Sequence, residues 1–234
     1  NEGRVFVWHG SAAGLGANGD PTNADWTAES NLADARFGYS VGTAGDVNGD
    51  GYADVLVGAP SYDYSPSYPN FGRAYAYHGS ASGLSTTVNW MTQGNQSEGW
   101  FGYSVGTAGD VNGDGYADVI VGAPWYDYDP YIYINAGRAS VYHGSAAGLS
   151  TTAAWTAESN QASAAFGHSV GTAGDVNGDG YADVIVGAYQ YDNGQTDEGA
   201  AFVYHGSASG LSTTANWTAE SNQTGAAFGY SVGT

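Results

Sequence analysis

The chain of 234 residues contains no cysteine and very few basic residues. Without cysteine there is no disulfide framework, so small loop-rich units need another means of stabilisation. Four lysine and arginine residues stand against 23 aspartate and glutamate residues, and the formal net charge is −19. Such a chain repels phosphate backbones and anionic membranes, which excludes nucleic acid as a partner. Since no stretch approaches the roughly 20 apolar residues of a membrane span, we also predict no direct membrane insertion.

The acidic residues are concentrated in one repeated motif. The segment GDVNGDGYADV occurs at 45–55, 109–119 and 174–184. Three copies in register are not a chance pattern. Clustered carboxylates repel one another unless a cation lies between them. The motif therefore predicts three metal loops rather than ordinary polar turns.

The spacing within the motif indicates which metal it holds. Asp46, Asn48, Asp50 and Asp54 stand at loop positions 1, 3, 5 and 9, and Tyr52 at position 7 offers its backbone carbonyl. An all-oxygen set of this kind favours calcium, which accepts roughly six to eight oxygens at flexible angles. An EF-hand needs glutamate at position 12, where this chain has valine, so Asp54 is the expected bidentate ligand. We predict Ca²⁺ at three sites per chain, with these ligands: Asp46, Asn48, Asp50, Tyr52, Asp54, Asp110, Asn112, Asp114, Tyr116, Asp118, Asp175, Asn177, Asp179, Tyr181 and Asp183.

The repetition extends over the whole chain. The segment FGYSVGT or a close variant occurs four times, and so does HGSAxGL. Short β-branched and aromatic runs between glycine-rich turns, at a period of roughly 60 residues, predict one four-stranded sheet per repeat in a radial array. We therefore predict an all-β β-propeller of four-stranded blades, a partial ring with about 3.5–4 blades per chain. It forms a single array over 1–234, with repeats at about 1–69, 70–134, 135–196 and an incomplete 197–234.

Within one repeat the pattern predicts four strands. They are Tyr39–Thr43, Asp54–Ala59, Arg73–His78 and Val88–Thr92, and copies along the chain bring the expected total to 15. In an up-and-down meander, the 1–2 and 3–4 loops lie at one end of each blade, here called the metal-loop face. The 2–3 and 4–1 loops lie at the other end, the variable-loop face. We expect the repeated phenylalanines to form the core between blades: Phe37, Phe101, Phe166 and Phe228.

The 2–3 connections differ while their flanks stay nearly constant. They span 61–72, 125–137 and 189–199 and are rich in tyrosine. Loops that vary on a fixed scaffold commonly carry binding sites, and aromatic rings supply rigid amphipathic surface. The alternative interpretation is that these rings pack on neighbouring blades. The predicted ligand-binding residues are Tyr62, Tyr64, Trp125, Tyr126, Tyr128, Tyr131 and Tyr191.

The order of these motifs resembles the FG-GAP repeat of integrin α-subunit β-propellers. Phe37-Gly38 precedes, and Gly58-Ala59-Pro60 follows, a D-x-N-x-D-G-x-x-D loop, and the third copy departs only at Tyr189, where the proline is missing. The resemblance implies calcium in the three loops and interaction surfaces on the opposite face. Fungal lectins and secreted hydrolases with similar propellers come into consideration as well.

Together these features predict a calcium-stabilised adhesion or ligand-binding module, extracellular or at the cell surface, with a protein or glycan ligand. One alternative is a multivalent lectin with one weak site per blade. Another is a non-catalytic propeller portion of a secreted hydrolase. We expect no enzyme activity, because four histidines open the same H-G-S turn and equivalent positions favour a structural hydrogen bond. These are His9, His78, His143 and His205.

The strand count leaves the ring incomplete. The sequence starts at a third strand and the last repeat lacks its metal loop and second strand. An open arc exposes sheet edges, and unpaired edges favour association. We predict a homo-oligomer, a dimer that completes a ring; a fragment of a longer propeller is the other interpretation.

Overall fold

The structure is a computed structural model in which every regular element is a β-strand. It describes residues 2–12, 14–15, 19–63, 65, 69–127, 129, 131 and 134–233. No helix occurs in these ranges, and the all-β prediction is confirmed. The strands are β1 (Arg4–Val7), β2 (Trp26–Glu29), β3 (Ser40–Gly45), β4 (Asp54–Ala59), β5 (Arg73–Tyr77), β6 (Trp90–Gln93), β7 (Ser104–Gly109), β8 (Asp118–Ala123), β9 (Arg138–Tyr142), β10 (Trp155–Glu158), β11 (Ser169–Gly174), β12 (Asp183–Ala188), β13 (Ala200–Tyr204) and β14 (Trp217–Glu220).

The strands form three complete blades and one half-blade. Strands β3–β6, β7–β10 and β11–β14 are four-stranded antiparallel sheets in chain order, called blades 1, 2 and 3 below. Strands β1 and β2 form a two-stranded sheet with the sequence pattern of third and fourth strands. The innermost strands lie side by side, β3 against β7 and β7 against β11. The predicted partial propeller is confirmed, and its ring is not closed.

The sequence repeats and the blades are out of phase. Each repeat boundary proposed above falls in a connection between a second and a third strand. The repeat 70–134, for example, contains β5 and β6 of blade 1 together with β7 and β8 of blade 2. Each of the first three sequence repeats therefore contributes half of two neighbouring blades, which ties the blades together covalently.

The FG and GA dipeptides of the motif face each other across neighbouring blades. A Cβ added to Gly58 would lie 2.0 Å from the carbonyl oxygen of Gly102, and one added to Gly122 would lie 2.0 Å from that of Gly167. Only glycine permits this backbone contact. Gly102 also has a φ of 84°, a conformation that glycine adopts without steric cost. The repeat signature is thus a packing contact between blades.

Aromatic side chains fill the space between the sheets. Phe37, Phe101 and Phe166 are buried, as predicted. The fourth copy, Phe228, is 41% exposed, so that part of the prediction is wrong. No further blade lies beyond blade 3 in the described part of the chain to cover this ring.

The repeated tryptophans show the same edge effect. The indole Nε1 of Trp26, Trp90 and Trp155 donates to a carbonyl oxygen of the next blade at 2.8–2.9 Å, and the three rings are buried. Trp217, at the open edge of blade 3, is 53% exposed.

The strand total is 14 in the described residues, not 15. The fourth FGYSVGT copy, 228–234, forms no strand, although Phe228 makes a parallel bridge to Gly199. Its Val232 and Gly233 nevertheless line the axial cavity beside the first strands of the three blades. The segment has the position of a first strand without a second strand to pair with.

Candidate functional site

The three predicted metal loops connect β3 to β4, β7 to β8 and β11 to β12. In the first loop the Asp46 carboxylate accepts hydrogen bonds from the backbone N–H groups of Gly49, Asp50 and Gly51 at 2.7–3.0 Å. The Asp50 carboxylate accepts from the N–H of Tyr52 at 3.0 Å. The other two loops repeat these bonds. The loop backbone is therefore folded around its own carboxylates.

The last aspartate of each loop has a second task. Asp54 is fully buried, and its two oxygens accept from the N–H groups of Val47 at 2.9 Å and Gly79 at 2.8 Å. Val47 belongs to the metal loop and Gly79 to the 3–4 loop of the same blade. Asp118 and Asp183 make the equivalent pairs of bonds. This carboxylate joins the two loops of the metal-loop face.

Burial is unfavourable for the charge on these aspartates. It raises the pKa of the Asp54 carboxyl above its ordinary value, although the N–H groups of Gly79 and Val47 oppose the shift. The same cause raises the pKa of Asp118 to about 6. A cation next to either carboxylate would favour its ionised form. The electrostatics of the site thus favour a positive ligand.

These contacts decide whether the loop residues can hold calcium. In the described residues no three His, Cys, Asp or Glu side chains converge as they would around an ion. The carboxylates instead point at loop amides. Each carboxylate oxygen has two lone pairs, however, and the bonds to Asp46, Asp50 and Asp54 leave acceptor capacity on all three side chains. The chemistry of the residues fits a hard cation, and calcium at these loops stays a prediction.

Neighbouring metal loops also contact each other. The N–H of Ala117 in blade 2 donates to the Asp46 carbonyl of blade 1 at 3.0 Å. The ring of Tyr116 packs on Gly49, where an added Cβ would lie 2.7 Å from the ring. Tyr52, which has no preceding metal loop beside it in the described chain, is 43% exposed. The loops therefore form a continuous layer along the arc.

Two of the four repeated histidines make equivalent side-chain hydrogen bonds at this face. The Nδ1 atoms of His78 and His143 lie 3.2 Å from the side-chain nitrogens of Asn48 and Asn112. An amide nitrogen only donates, so each Nδ1 accepts. The predicted structural hydrogen bond is confirmed for these two histidines.

On the variable-loop face, three predicted ligand-binding tyrosines occupy equivalent positions against their own blades. The ring centroids of Tyr62 and Tyr126 lie 3.5 Å from the guanidinium carbons of Arg73 and Arg138. Tyr191 contacts Phe202, with ring centroids 5.4 Å apart. Cation–π contacts of this kind stabilise the blade. The role of these three tyrosines in ligand binding stays a prediction.

The remaining predicted residues on this face differ in their surroundings. Tyr64 and Tyr128 lie outside the described residues. Tyr131 is 89% exposed. Trp125 contacts Trp100, with centroids 5.0 Å apart, and Tyr103, with centroids 4.9 Å apart. Two aromatic side chains from different connections thus hold Trp125 in place.

The repeated TAESNQ segment connects blades. Gln161 of this segment donates to the Asp192 carbonyl at 2.7 Å and accepts from the Asp192 N–H at 2.6 Å. Glu158 accepts from Arg138 Nε at 2.7 Å. These contacts use the segment to anchor the 2–3 loop of the next blade, which explains its repetition.

Sequence reasoning missed an aromatic row that links the blades near the axis. Tyr39, Tyr103, His168 and Tyr230 occupy one repeat position, and successive rings lie 4.6–5.0 Å apart. Burial lowers the pKa of His168, although its bond to the Tyr230 carbonyl opposes the shift. The same cause, burial, raises the pKa of Tyr103. The signal was the repeat position itself, which is aromatic in every copy.

A cavity of about 430 Å³ lies between blades 1 and 2. Its lining includes Phe101, Tyr126, Arg138 and Tyr142. The predicted residue Tyr126 thus borders an inter-blade space as well as contacting Arg138.

Antiparallel four-stranded blades around an axis, each with an acidic loop between its first two strands, define a repeat-built β-propeller. Three segments, 37–77, 101–142 and 166–204, match the model of the FG-GAP repeat and together cover just over half of the chain. The chain belongs to the FG-GAP repeat family, as its motifs predicted.

Curated relatives are integrin α subunits. Integrin alpha-PS2 of Drosophila melanogaster is 37% identical over 169 residues, which cover 67% of this chain and 12% of that protein. Integrin alpha-6 of Homo sapiens is 34% identical over 154 residues, 66% of this chain and 12% of the relative. Integrin alpha-IIb of Mus musculus is 37% identical over 159 residues, 65% and 15% respectively. The chain thus matches less than a fifth of the length of each relative. A membrane-spanning helix is not found in the part of the chain that the structure describes.

Proposed function

We propose that the chain is a calcium-stabilised ligand-binding propeller module that serves adhesion outside the cell or at its surface. Calcium in the three metal loops is structural, and the ligand surface is the variable-loop face. One observation carries the proposal: the three metal loops share the same hydrogen bonds to the last aspartate, whereas the variable-loop face has aromatic contacts that occur once. Repeated contacts suit a scaffold, and a surface that differs between blades suits recognition of one partner.

The relatives support an adhesion role, because all three described above are integrin α subunits. We propose a protein ligand as the partner. A multivalent glycan-binding function is the second candidate, but it requires equivalent exposed groups in each blade. The glutamates of the repeated segment do not provide them, since Glu29 pairs with Arg4 and Glu158 with Arg138.

A test of the metal role is calcium titration of the purified chain by calorimetry and by thermal melting. We expect three bound ions and a higher melting temperature in calcium than in EGTA.

A test of the ligand surface is adhesion of chain-coated beads to a panel of purified extracellular-matrix proteins. Replacement of 125–137 by the blade 3 connection, 189–199, should reduce adhesion while calcium stabilisation persists. Equal adhesion of the native chain and the loop-replaced chain would contradict the proposal.

We also propose that the open edge of blade 3 takes a further sheet from a second copy of the chain. Trp217 and Phe228 are exposed there, while their counterparts in the other blades are buried by the next blade. Light-scattering mass in calcium and in EGTA tests this. A mass of two chains in calcium supports a dimer, and a single-chain mass in both buffers contradicts it.

A further inference from the structure

A groove on the variable-loop face lies where the β6–β7 connection meets the β8–β9 connection. Glu98 and Trp100 line it from the first connection, Trp125 and Asn135 from the second, and its volume is about 250 Å³. We propose that this groove binds one ring of a neutral saccharide. The inference goes beyond the proposed function, since it adds a saccharide site to the face that is proposed to bind a protein ligand.

Trp100 is not required by the fold at its position. The residue before the repeated phenylalanine is Arg36, Ala165 or Ala227 in the other copies. All four have a φ of 53–55°, a left-handed conformation that is uncommon for bulky side chains. Because alanine makes the same turn twice, the turn itself does not require the tryptophan ring.

Trp125 departs from its repeat position in the same way. Its counterparts are Ser61 and Gln190, which leave their blades intact. Trp125 and Trp100 come from different blade connections, yet their ring centroids lie 5.0 Å apart with the planes inclined at 56°. The two tryptophans that break the repeat therefore meet at one place.

The groove is held in position before any ligand binds. Tyr103 contacts Trp125 edge-on, with an interplanar angle of 83°. Glu98 Oε2 accepts from Trp100 Nε1 at 3.2 Å and from Asn70 Nδ2 at 2.9 Å. Rings and carboxylate fixed in this way lose little conformational entropy on binding, which favours affinity.

The lining matches the surface of a sugar ring. A pyranose has an apolar C–H face and a rim of hydroxyl groups. The inclined faces of Trp100 and Trp125 suit the first, and polar groups suit the second. Glu98 uses Oε2 for both of its bonds, so Oε1 can accept a hydroxyl, and the Asn135 carboxamide can donate and accept. The volume is below the roughly 300–1,000 Å³ of sites for drug-sized ligands, which limits the occupant to about one ring.

A cationic ligand is the competing choice for two tryptophans and a carboxylate. The guanidinium carbon of Arg36 already lies 5.2 Å from the Trp100 ring centroid. A second positive group in the groove would be repelled by Arg36 at close range. The chain's net negative charge attracts a cationic ligand mostly over distances at which salt screens the interaction. A neutral ligand avoids this local repulsion.

The geometry also predicts one site per chain. Glu98 corresponds to Asp34, Ser163 and Gly225 in the other copies, so no other blade combines a carboxylate with two tryptophans. This separates the groove from a lectin with one equivalent site in each blade.

The test is calorimetric titration in calcium with D-glucose, D-galactose, D-mannose, N-acetyl-D-glucosamine, N-acetyl-D-galactosamine and L-fucose as methyl glycosides. Arginine amide is the cationic probe. Trp100→Ala and Trp125→Gln introduce the residues that other repeats carry, so both should fold. Trp8→Ala, in the β1–β2 connection of the half-blade, is the matched control for loss of one tryptophan.

We expect one glycoside or more to bind at one site per chain. Affinity should fall at least about tenfold in each groove variant, with unchanged melting temperature. Binding by Trp8→Ala should be unchanged. No binding in the millimolar range, equal binding by the groove variants, several equal sites, or binding of arginine amide alone would overturn the inference. If glycosides fail while variable-loop adhesion and calcium stabilisation persist, only the groove assignment is wrong.

Discussion

At the metal-loop face, Asp54, Asp118 and Asp183 make the same two hydrogen bonds in three blades. At the variable-loop face, Trp100 and Trp125 meet in one blade only. Both faces sit on the same strands, so the strands do not explain the difference. The first face holds each blade together and cannot vary without cost. The second has anchoring contacts in every blade and, between them, positions that are free to differ.

Removal of calcium should affect the metal-loop face most, because it acts on three loops at once. Extracellular calcium modules bind with dissociation constants of ~10⁻⁴–10⁻³ M. At ~10 mM calcium, each site would add about 1.4–2.7 kcal/mol to the free energy of unfolding. Urea unfolding in calcium, in EGTA and in EGTA with magnesium measures this. An equal free energy of unfolding in calcium and in EGTA would mean that calcium does not stabilise the metal-loop face.

Asp118→Ala should destabilise the chain by roughly 2–5 kcal/mol, because it leaves the buried N–H groups of Val111 and Gly144 without their acceptor. Urea midpoints in EGTA separate this effect from any metal. Asp183→Ala is the control. It removes the same pair of bonds, but the bond to Val176 is only partly buried, so the loss should be smaller. Equal losses of unfolding free energy in the two variants would mean that burial of the N–H donors does not determine the size of the loss.

Arg138→Ala tests whether the arginine–tyrosine contact that recurs on the variable-loop face is part of the scaffold. Arg138 pairs with Glu158 and lies over Tyr126, while blade 3 has Ala200 at the same position. We expect a loss of about 1–2 kcal/mol in unfolding free energy with ligand binding retained. Urea unfolding and bead adhesion measure the two effects. Loss of adhesion at unchanged stability would instead assign Tyr126 and Arg138 to the ligand site.

His168→Tyr should have the smallest effect, visible only as a change in pH dependence. Burial lowers the pKa of His168 in the folded state, so the unfolded chain takes up the proton first as pH falls. The stability contribution is present above about pH 6.5 and is lost as pH decreases through the lower folded pKa. Tyrosine, which the other copies carry, lacks this titration.

Melting temperatures of both proteins at pH 7.5 and 5.5, in calcium, give the comparison. The native chain should lose more stability on acidification than His168→Tyr, since all other groups are common to both. Parallel pH profiles would show that the row of aromatic rings tolerates a charged imidazole.

The sequence predicted the second strands with their correct bounds, as for Asp54–Ala59. The sequence also shows which positions of the 2–3 loops are tyrosine, but not what these side chains contact. The sequence leaves Tyr62 and Tyr126 open to ligand binding or to packing on neighbouring blades. The structure places each against an arginine at the start of the next strand of its own blade. Pattern and propensity specify which segment is a strand, but a side chain's neighbour across a turn depends on the folded backbone.

What the sequence determined by itself was the blade. Period, apolar runs and glycine positions are local properties, and each strand pairs with the next one along the chain, so the meander follows from them. The tertiary structure decided what happens between blades, where contacting residues come from different repeats. The burial of Phe166, the exposure of Phe228 and the meeting of Trp100 with Trp125 all depend on whether a neighbouring blade lies beside the ring.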